Sequence, residues 1–221
     1  MALSKVNFNS MNVTPAASKA IKFNSSNNGL ETGDIGGSLV LLETTTISSS
    51  TSTVSFTSNI DSTYKEYIFK FIDIHPASEY GFFQFQADTG TNTNYNQTIT
   101  STSWLATHSE NDSEAIINYN TGSDQALGTA FQHISDQLEA DNDSCLCGTL
   151  HIFDPSNTTF VKHFISRVNL MYRTDSYDPS AMAIQNFIGG YGNTTSAVDA
   201  IQFAMSSGNI DSGVIKMYGV L

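Results

Sequence analysis

Charged side chains, cysteine and tryptophan are scarce in this sequence. Of 221 residues, 14% are Asp, Glu, Lys or Arg, and the chain has two cysteines and one tryptophan. Two cysteines separated by one residue cannot form a disulfide framework, so a disulfide-stapled scaffold is excluded. No apolar run approaches the ~20 residues of a membrane-spanning helix, and the N-terminal residues lack the apolar segment of a signal peptide. We therefore expect neither membrane insertion nor signal-directed secretion.

Basic side chains are also few, and they are unevenly placed. The chain has 9 Lys and Arg against 21 Asp and Glu, which gives a net charge of −12. Nucleic acid is a poor partner for such a surface because phosphate binding needs clustered Lys and Arg. The first 30 residues are the exception, since they contain Lys5, Lys19 and Lys22 and no acidic residue. This distribution predicts a mildly basic N-terminal segment ahead of an acidic body.

Ser, Thr, Asn and alternating apolar residues make up much of the remaining sequence, and they are typical of β-structure. Residues 1–37 are rich in Asn, Ser and Gly, which predicts an irregular, extended arm. About ten short strand candidates follow, with turn residues between them. We therefore expect residues 38–221 to form a single all-β domain, an antiparallel β-sandwich of jelly-roll type.

Two internal segments have patterns that also predict how their strands are placed. Residues 64–76 are apolar at both odd and even positions, which predicts a central strand buried on both faces. Residues 80–88 alternate Phe with Gln, which predicts a strand whose Gln84 and Gln86 face solvent.

The last residues of the chain predict a β-hairpin. Ile201 and Phe203 alternate with polar or small residues before the turn segment GNIDSG, and Ile215 and Met217 alternate after it. Gly and Asn in that segment tolerate the backbone conformations of tight turns. Residues 198–219 are therefore predicted to pair as an antiparallel hairpin with these four apolar side chains in the core.

Only residues 124–143 have a spacing that fits a helix. Phe131, Ile134 and Leu138 fall at i, i+3 and i+7, which places them on one helical face. The same stretch also fits a strand followed by a turn, and the sequence leaves both interpretations open.

A search for chemistry-bearing motifs finds no nucleophile elbow, zinc-protease motif or phosphate-binding loop, so we expect no enzymatic activity and no cofactor. The best metal candidates are Cys145, Cys147 and His151, because thiolate and imidazole bind zinc. Their cysteines are closer than in typical structural zinc sites, so an ordinary strand start is favoured and no metal is expected. Acidic loops at 109–114 and 139–144 could hold calcium, but solvated turns are the favoured interpretation.

Two groups of residues are candidates for partner contact. Trp104 lies in a polar setting, TSTSWLATHS, and Tyr119 precedes a loop. Aromatic side chains at the rim of a sandwich can stack on sugar rings or anchor a protein contact, and core packing is an equally good explanation of both. In the arm, the segments KVNFNS and AIKFNS share a pattern. The candidate docking residues there carry an aromatic ring or a positive charge: Lys5, Phe8, Lys19, Lys22 and Phe23.

Several longer segments resemble a known group of proteins. IDSTYKEYIFKFIDIHPAS, IFDPSNTTFVKHFIS, GGYGNTTSAVDAIQF and MSSGNIDSGVIKMYGVL are similar to virion structural proteins of marine bacteriophages, especially those of cyanophages and pelagiphages. The opening MALSKVNFNSMNVTPAASKAIKFNSS is similar too, so the resemblance runs nearly end to end. The C-terminal pattern S-G-N-x-x-S-G-x-I-K-x-Y-G is its most specific part, and residues 88–148 depart from it most.

The resemblance implies a structural role in a particle that is assembled in the host cytoplasm. It implies a non-enzymatic virion surface protein, a capsid decoration or head-fibre protein that docks through its N-terminal arm. The alternative is a tail-fibre or receptor-binding module that recognises a host surface glycan. The expected partners are other virion proteins, namely major capsid or tail proteins, and further copies of the same chain.

Overall fold

The computed structural model describes residues 13–14, 19–33, 38–90, 93–172 and 181–221. Fourteen strands and no helix occur in these described residues, so none of their elements is a helix able to cross a membrane. Residue contacts divide the chain into two compact units, and the boundary along the sequence falls between Ser38 and Leu39.

The strands are numbered in chain order. They are β1 (Ala20–Phe23), β2 (Leu30–Gly33), β3 (Leu39–Ile47), β4 (Thr53–Phe56), β5 (Glu66–Pro76), β6 (Gly81–Asp88), β7 (Ile99–Ser109), β8 (Ala115–Tyr119), β9 (Gln132–Leu138), β10 (Leu146–Phe153), β11 (Lys162–Tyr172), β12 (Met182–Gly192), β13 (Ala200–Met205) and β14 (Ile210–Val220).

The smaller unit contains a β-hairpin. Strands β1 and β2 pair antiparallel, with Phe23 opposite Leu30. A hydrogen bond from the Asn24 backbone N–H to the Gly29 carbonyl closes the turn at 2.9 Å, and Asn27 supplies its positive φ of 54°. The prediction that residues 1–37 are irregular is therefore wrong for this segment, because apolar–polar alternation in AIKF and LETG is enough to pair two short strands across an Asn-rich turn.

The larger unit consists of two antiparallel sheets. One has eight strands in the order β3-β14-β5-β10-β11-β12-β7-β8, and the other has four in the order β4-β13-β6-β9. Aromatic side chains of the two sheets meet: the ring of Phe69 on β5 lies 5.2 Å from that of Phe203 on β13, edge to face. The predicted all-β antiparallel sandwich is confirmed. Its jelly-roll connectivity and the anchoring arm stay predictions.

A cluster of phenylalanines forms the centre of the core between the sheets. Phe56, Phe71 and Phe83 surround Phe203, with ring centroids 5.2 to 6.0 Å away. All four side chains are at most 2% exposed. Each such burial contributes about 1.5–3 kcal/mol to the free energy of unfolding, so this cluster stabilises the contact between the sheets.

The C-terminal hairpin prediction is wrong about pairing and right about the core. Ile201, Phe203, Ile215 and Met217 are all buried. However, β13 pairs with β4 and β6 in the small sheet, whereas β14 pairs with β3 and β5 in the large one. The turn at Gly208, which has φ 70°, therefore carries the chain from one sheet to the other.

The helical interpretation of residues 124–143 is also wrong, because residues 132–138 are strand β9, which pairs with β6. Ile134 and Leu138 are both fully buried. Their spacing of four fits one face of a strand as well as one face of a helix, and pairing with β6 decides the outcome.

Strand β5 is central, as predicted, but it is not buried on both faces. Tyr67, Phe69 and Phe71 face the core. An extra residue in β5 then shifts its register against both neighbours, with Phe71 opposite Gly148 and Ile74 opposite Leu146. The alternation flips at this β-bulge. As a result Ile74 is buried and Ile72 is 38% exposed.

Gln86 contradicts its predicted place on a solvated face. The residue is fully buried, and its Nε2 lies 2.9 to 3.2 Å from the carbonyl oxygens of Gln97, Thr129 and Ala130. Alternation correctly separates Gln from Phe on β6, but connecting segments cover the Gln side. A buried amide is tolerated because its hydrogen bonds are made.

Candidate functional site

Three aromatic side chains and an arginine form a row across four strands of the large sheet. Tyr119 on β8 pairs with Trp104 on β7, Trp104 with Phe187 on β12, and Phe187 with Arg167 on β11. Residues that pair directly lie on the same face, and this row lies on the outer face because Leu105 and Ile188, the neighbours of opposite parity, are buried. We call these four residues the aromatic ridge.

The rings of the ridge cover one another. The Trp104 and Phe187 ring centroids lie 3.9 Å apart with planes 7° from parallel, and the Arg167 guanidinium lies 5.2 Å from the Phe187 centroid on the ring face. Arg167 is held by donating to Gln185 Oε1 at 3.2 Å. Phe187 therefore has Trp104 stacked on its ring and Arg167 over its ring face, whereas Trp104 remains 40% exposed.

The sheet ends next to the ridge in an apolar edge strand. Among the described strands, β8 pairs with β7 alone, and all five of its residues are exposed. Ile117 is 72% exposed, Tyr119 55% and Trp104 40%. Tyr119 donates its hydroxyl to Asp124 at 2.7 Å, and this hydrogen bond raises the pKa of the Tyr119 phenol. An open, apolar edge strand offers a contact surface that most proteins protect.

Trp104 and Tyr119, predicted as receptor contacts, are therefore neighbours at the surface. Core packing, the other interpretation of the sequence, is wrong for both of them. Sequence reasoning did not find Phe187 and Arg167, which complete the ridge. Both lie more than 60 residues beyond Trp104 in the chain, and only the strand pairing places Phe187 beside Trp104 and Arg167 beside Phe187.

The predicted docking residues of the arm are only partly described. Lys5 and Phe8 lie outside the described residues. Phe23 is 71% exposed at the end of β1, and Lys22 lies 3.5 Å from Glu31 in an exposed ion pair across the hairpin. Lys19 precedes β1 and is exposed.

The metal candidates from the sequence do not come together as a set. His151 Nδ1 lies 2.6 Å from Glu66 Oε1. The two cysteines are free thiols that lie beside Asp73 instead. In an extended strand a spacing of four residues covers about 13 Å, so His151 is too far from Cys147 to share an ion with it.

Asp73 joins the two thiols on the outer face of the large sheet. Cys147 Sγ lies 3.4 Å and Cys145 Sγ 3.9 Å from Asp73 Oδ1, and the Asp73 backbone N–H donates to Cys147 Sγ at 3.3 Å. Burial raises the pKa of both thiols, and the Asp73 carboxylate adds to the effect. The only signal for Asp73 in the sequence is an acidic residue inside the apolar run IFKFIDIHP.

In the part of the chain that the structure describes, neither acidic loop brings three acidic, His or Cys side chains together as ligands. In the first loop, Ser109 Oγ accepts from the Glu114 backbone N–H at 2.8 Å, and Asp112 lies 3.3 Å from His108. In the second loop, Glu139 is 5% exposed. Its burial is the main cause that raises the pKa of its carboxyl group, and the negative charges of Glu79 and Asp141 raise this pKa further.

Comparisons with family models, curated proteins and solved structures found no match for this chain.

Proposed function

We propose that this chain is a non-enzymatic structural protein of a virion surface, in the role of a capsid decoration or head-fibre protein. It docks onto other virion proteins, and residues 1–37 are its anchor. The resemblance of its N- and C-terminal segments to marine phage virion proteins motivates this proposal.

The observation that carries the proposal is the apolar edge of the large sheet. Strand β8 exposes Ile117 and Tyr119 beside Trp104, and no other described strand lies along its second edge, which is the geometry by which a sheet adds a strand of another chain. Permanent protein–protein interfaces bury large, predominantly apolar surfaces. The exposed Phe23 of the hairpin supports a second point of attachment in the arm.

Incorporation into particles tests this function. We expect a chain lacking residues 1–37 to fold and to be absent from purified particles, because its anchor is gone. Ile117→Lys should reduce incorporation of the full-length chain, since a charge on the edge opposes burial against a partner. Ile165→Lys is the matched control, because Ile165 is an exposed apolar residue on the same face in strand β11.

The amount of each variant that copurifies with particles is measured against the major capsid protein. Normal incorporation of the truncated chain would contradict the anchoring role of residues 1–37. Equal incorporation of Ile117→Lys and the wild type would contradict the role of the β8 edge.

The second candidate is a glycan-binding module of a tail fibre. The observation that favours it is the exposure of Trp104 and Tyr119 side by side, 40% and 55% exposed on neighbouring strands, since an aromatic ring can pack on the apolar face of a sugar ring. The buried face of Phe187 limits the platform to these two residues. Binding of the isolated domain to a glycan array should then be lost in Trp104→Ala and kept in Ile165→Lys. Absence of any glycan binding by the wild-type domain would remove this candidate.

A further inference from the structure

We propose that Asp73, Cys145 and Cys147 form a binding site for a thiophilic divalent cation, of which Zn²⁺ is the representative. Their ligand atoms all lie within 4.8 Å of one another. A tetrahedral ion with Zn–S of about 2.3 Å and Zn–O of about 2.0 Å separates a sulfur from an oxygen ligand by about 3.5 Å. The observed separations from Asp73 Oδ1 are 3.4 Å to Cys147 and 3.9 Å to Cys145, so small side-chain movements suffice.

The backbone brings the carboxylate to the thiols by a distortion that involves three strands. Asp73 has φ 51° at the bulge of β5, a left-handed conformation that Asp adopts more readily than most residues. On the other side of β5, Gly213 of β14 has φ 131°, and a Cβ there would lie 2.8 Å from the Asp73 carbonyl oxygen. Without this bulge, the regular alternation of β5 would turn residue 73 toward the core, away from the thiols.

The chemistry of the three ligands selects the kind of ion. Two thiolates and one carboxylate favour zinc and similar cations, whereas calcium and magnesium prefer oxygen ligands alone. The hydrogen bond from the Asp73 N–H to Cys147 Sγ orients one ligand, as outer-shell contacts do in metal sites. On binding, the ion takes the place of the two thiol protons, which are released to solvent.

The site is accessible from solvent. Asp73 and Cys147 are exposed and Cys145 is half-buried, so an ion reaches them without opening the sheet. Three protein ligands leave the fourth position of a tetrahedral ion to water. The bound ion would tie β5 to β10, and it stabilises the folded chain because it binds that state in preference to the unfolded one. This inference does not depend on the proposed virion role.

Cobalt titration tests the site, because tetrahedral Co²⁺ bound to thiolate has visible d–d bands and a near-ultraviolet charge-transfer band. We expect the reduced, untagged full-length protein to bind one Co²⁺ with both signals and Zn²⁺ to displace it. Cys147→Ser and Asp73→Asn should each weaken Co²⁺ affinity at least about tenfold. Asn keeps the tolerance for a positive φ at the bulge, and circular dichroism and the melting temperature check that each variant is folded.

His151→Ala is the matched control, since His151 contacts Glu66 and not the thiols, and its Co²⁺ affinity should equal that of the wild type. The melting temperature should rise with Zn²⁺ in the wild type and in His151→Ala but not in Cys147→Ser. Three results would overturn the site: a cobalt spectrum without a thiolate band, unchanged affinity in folded Asp73→Asn, or lost affinity in His151→Ala.

Discussion

At the scale of single residues, adjacent positions in one strand can have opposite tolerance for a side chain. Gly189 and Gly190 are neighbours in β12, and they point to opposite faces of the sheet. A Cβ on Gly190 would lie 2.5 Å from the Thr100 carbonyl oxygen and 2.8 Å from Phe164 Cζ, whereas a Cβ on Gly189 meets nothing within 4 Å. The core side is full at this point and the solvent side is open.

We therefore predict opposite outcomes for the two alanine substitutions. Gly190→Ala should lower the free energy of unfolding by about 1–3 kcal/mol, because the backbone of β7 must move away. Gly189→Ala should change it by less than about 0.5 kcal/mol. Chemical denaturation of both variants beside the wild type measures the difference. Equal stability of the two variants would show that the sheet does not have this packing.

Single residues also show where sequence patterns stop being informative. Alternation correctly places Phe83 and Phe85 in the core, because a strand with one buried face must repeat with period two. It does not reveal that loop carbonyls cover Gln86, since those carbonyls come from segments 11 to 44 residues away. The contact between Asp73 and the two thiols could not be predicted either. It depends on a β-bulge and on the pairing of two distant strands, and the local spacing of residues indicates neither.

At the scale of secondary-structure elements, most strands could be predicted but their partners could not. The closing strands show this clearly. Both have the alternation of a strand. The Gly and Asn residues between them fit a hairpin turn as well as they fit a connection that crosses from one sheet to the other. The choice depends on which edges remain to be filled. Strand β14 enters the large sheet between β3 and β5, where Ile215 and Met217 are fully buried.

The position of β14 predicts that the end of the chain is essential for folding. Among the described strands, β3 pairs with β14 alone, so deletion of residues 212–221 should remove most of β14, leave β3 without this partner and cause unfolding or aggregation. As a milder change, Ile215→Ala should cost about 2–5 kcal/mol. Lys216→Ala, on the opposite face of the same strand, should be nearly neutral. Thermal denaturation compares the two, and a soluble deletion variant with an unchanged melting temperature would contradict this role.

At the scale of the whole molecule, the charge and the core are distributed differently between the two units. Residues 39–221 have 6 basic and 19 acidic side chains, so their net charge is 6 − 19 = −13. Residues 1–38 have 3 basic and 2 acidic side chains, a net charge of +1. Self-repulsion of the acidic unit opposes compaction, and burial of the apolar side chains between the two sheets acts against it.

The location of the core leads to a prediction about the isolated larger unit. In the part of the chain that the structure describes, every residue of the hydrophobic core, from Ile47 to Met217, belongs to residues 39–221. A chain of that length buries enough surface to fold alone. We therefore expect a protein consisting of residues 39–221 to melt in a single transition, at the same temperature as the full chain. Differential scanning calorimetry of the two proteins makes the comparison. A melting temperature lower by several degrees, or aggregation of the shorter protein, would mean that residues 1–38 contribute to the stability of the sandwich. Loss of particle incorporation on their deletion would then be explained by unfolding and not by loss of docking.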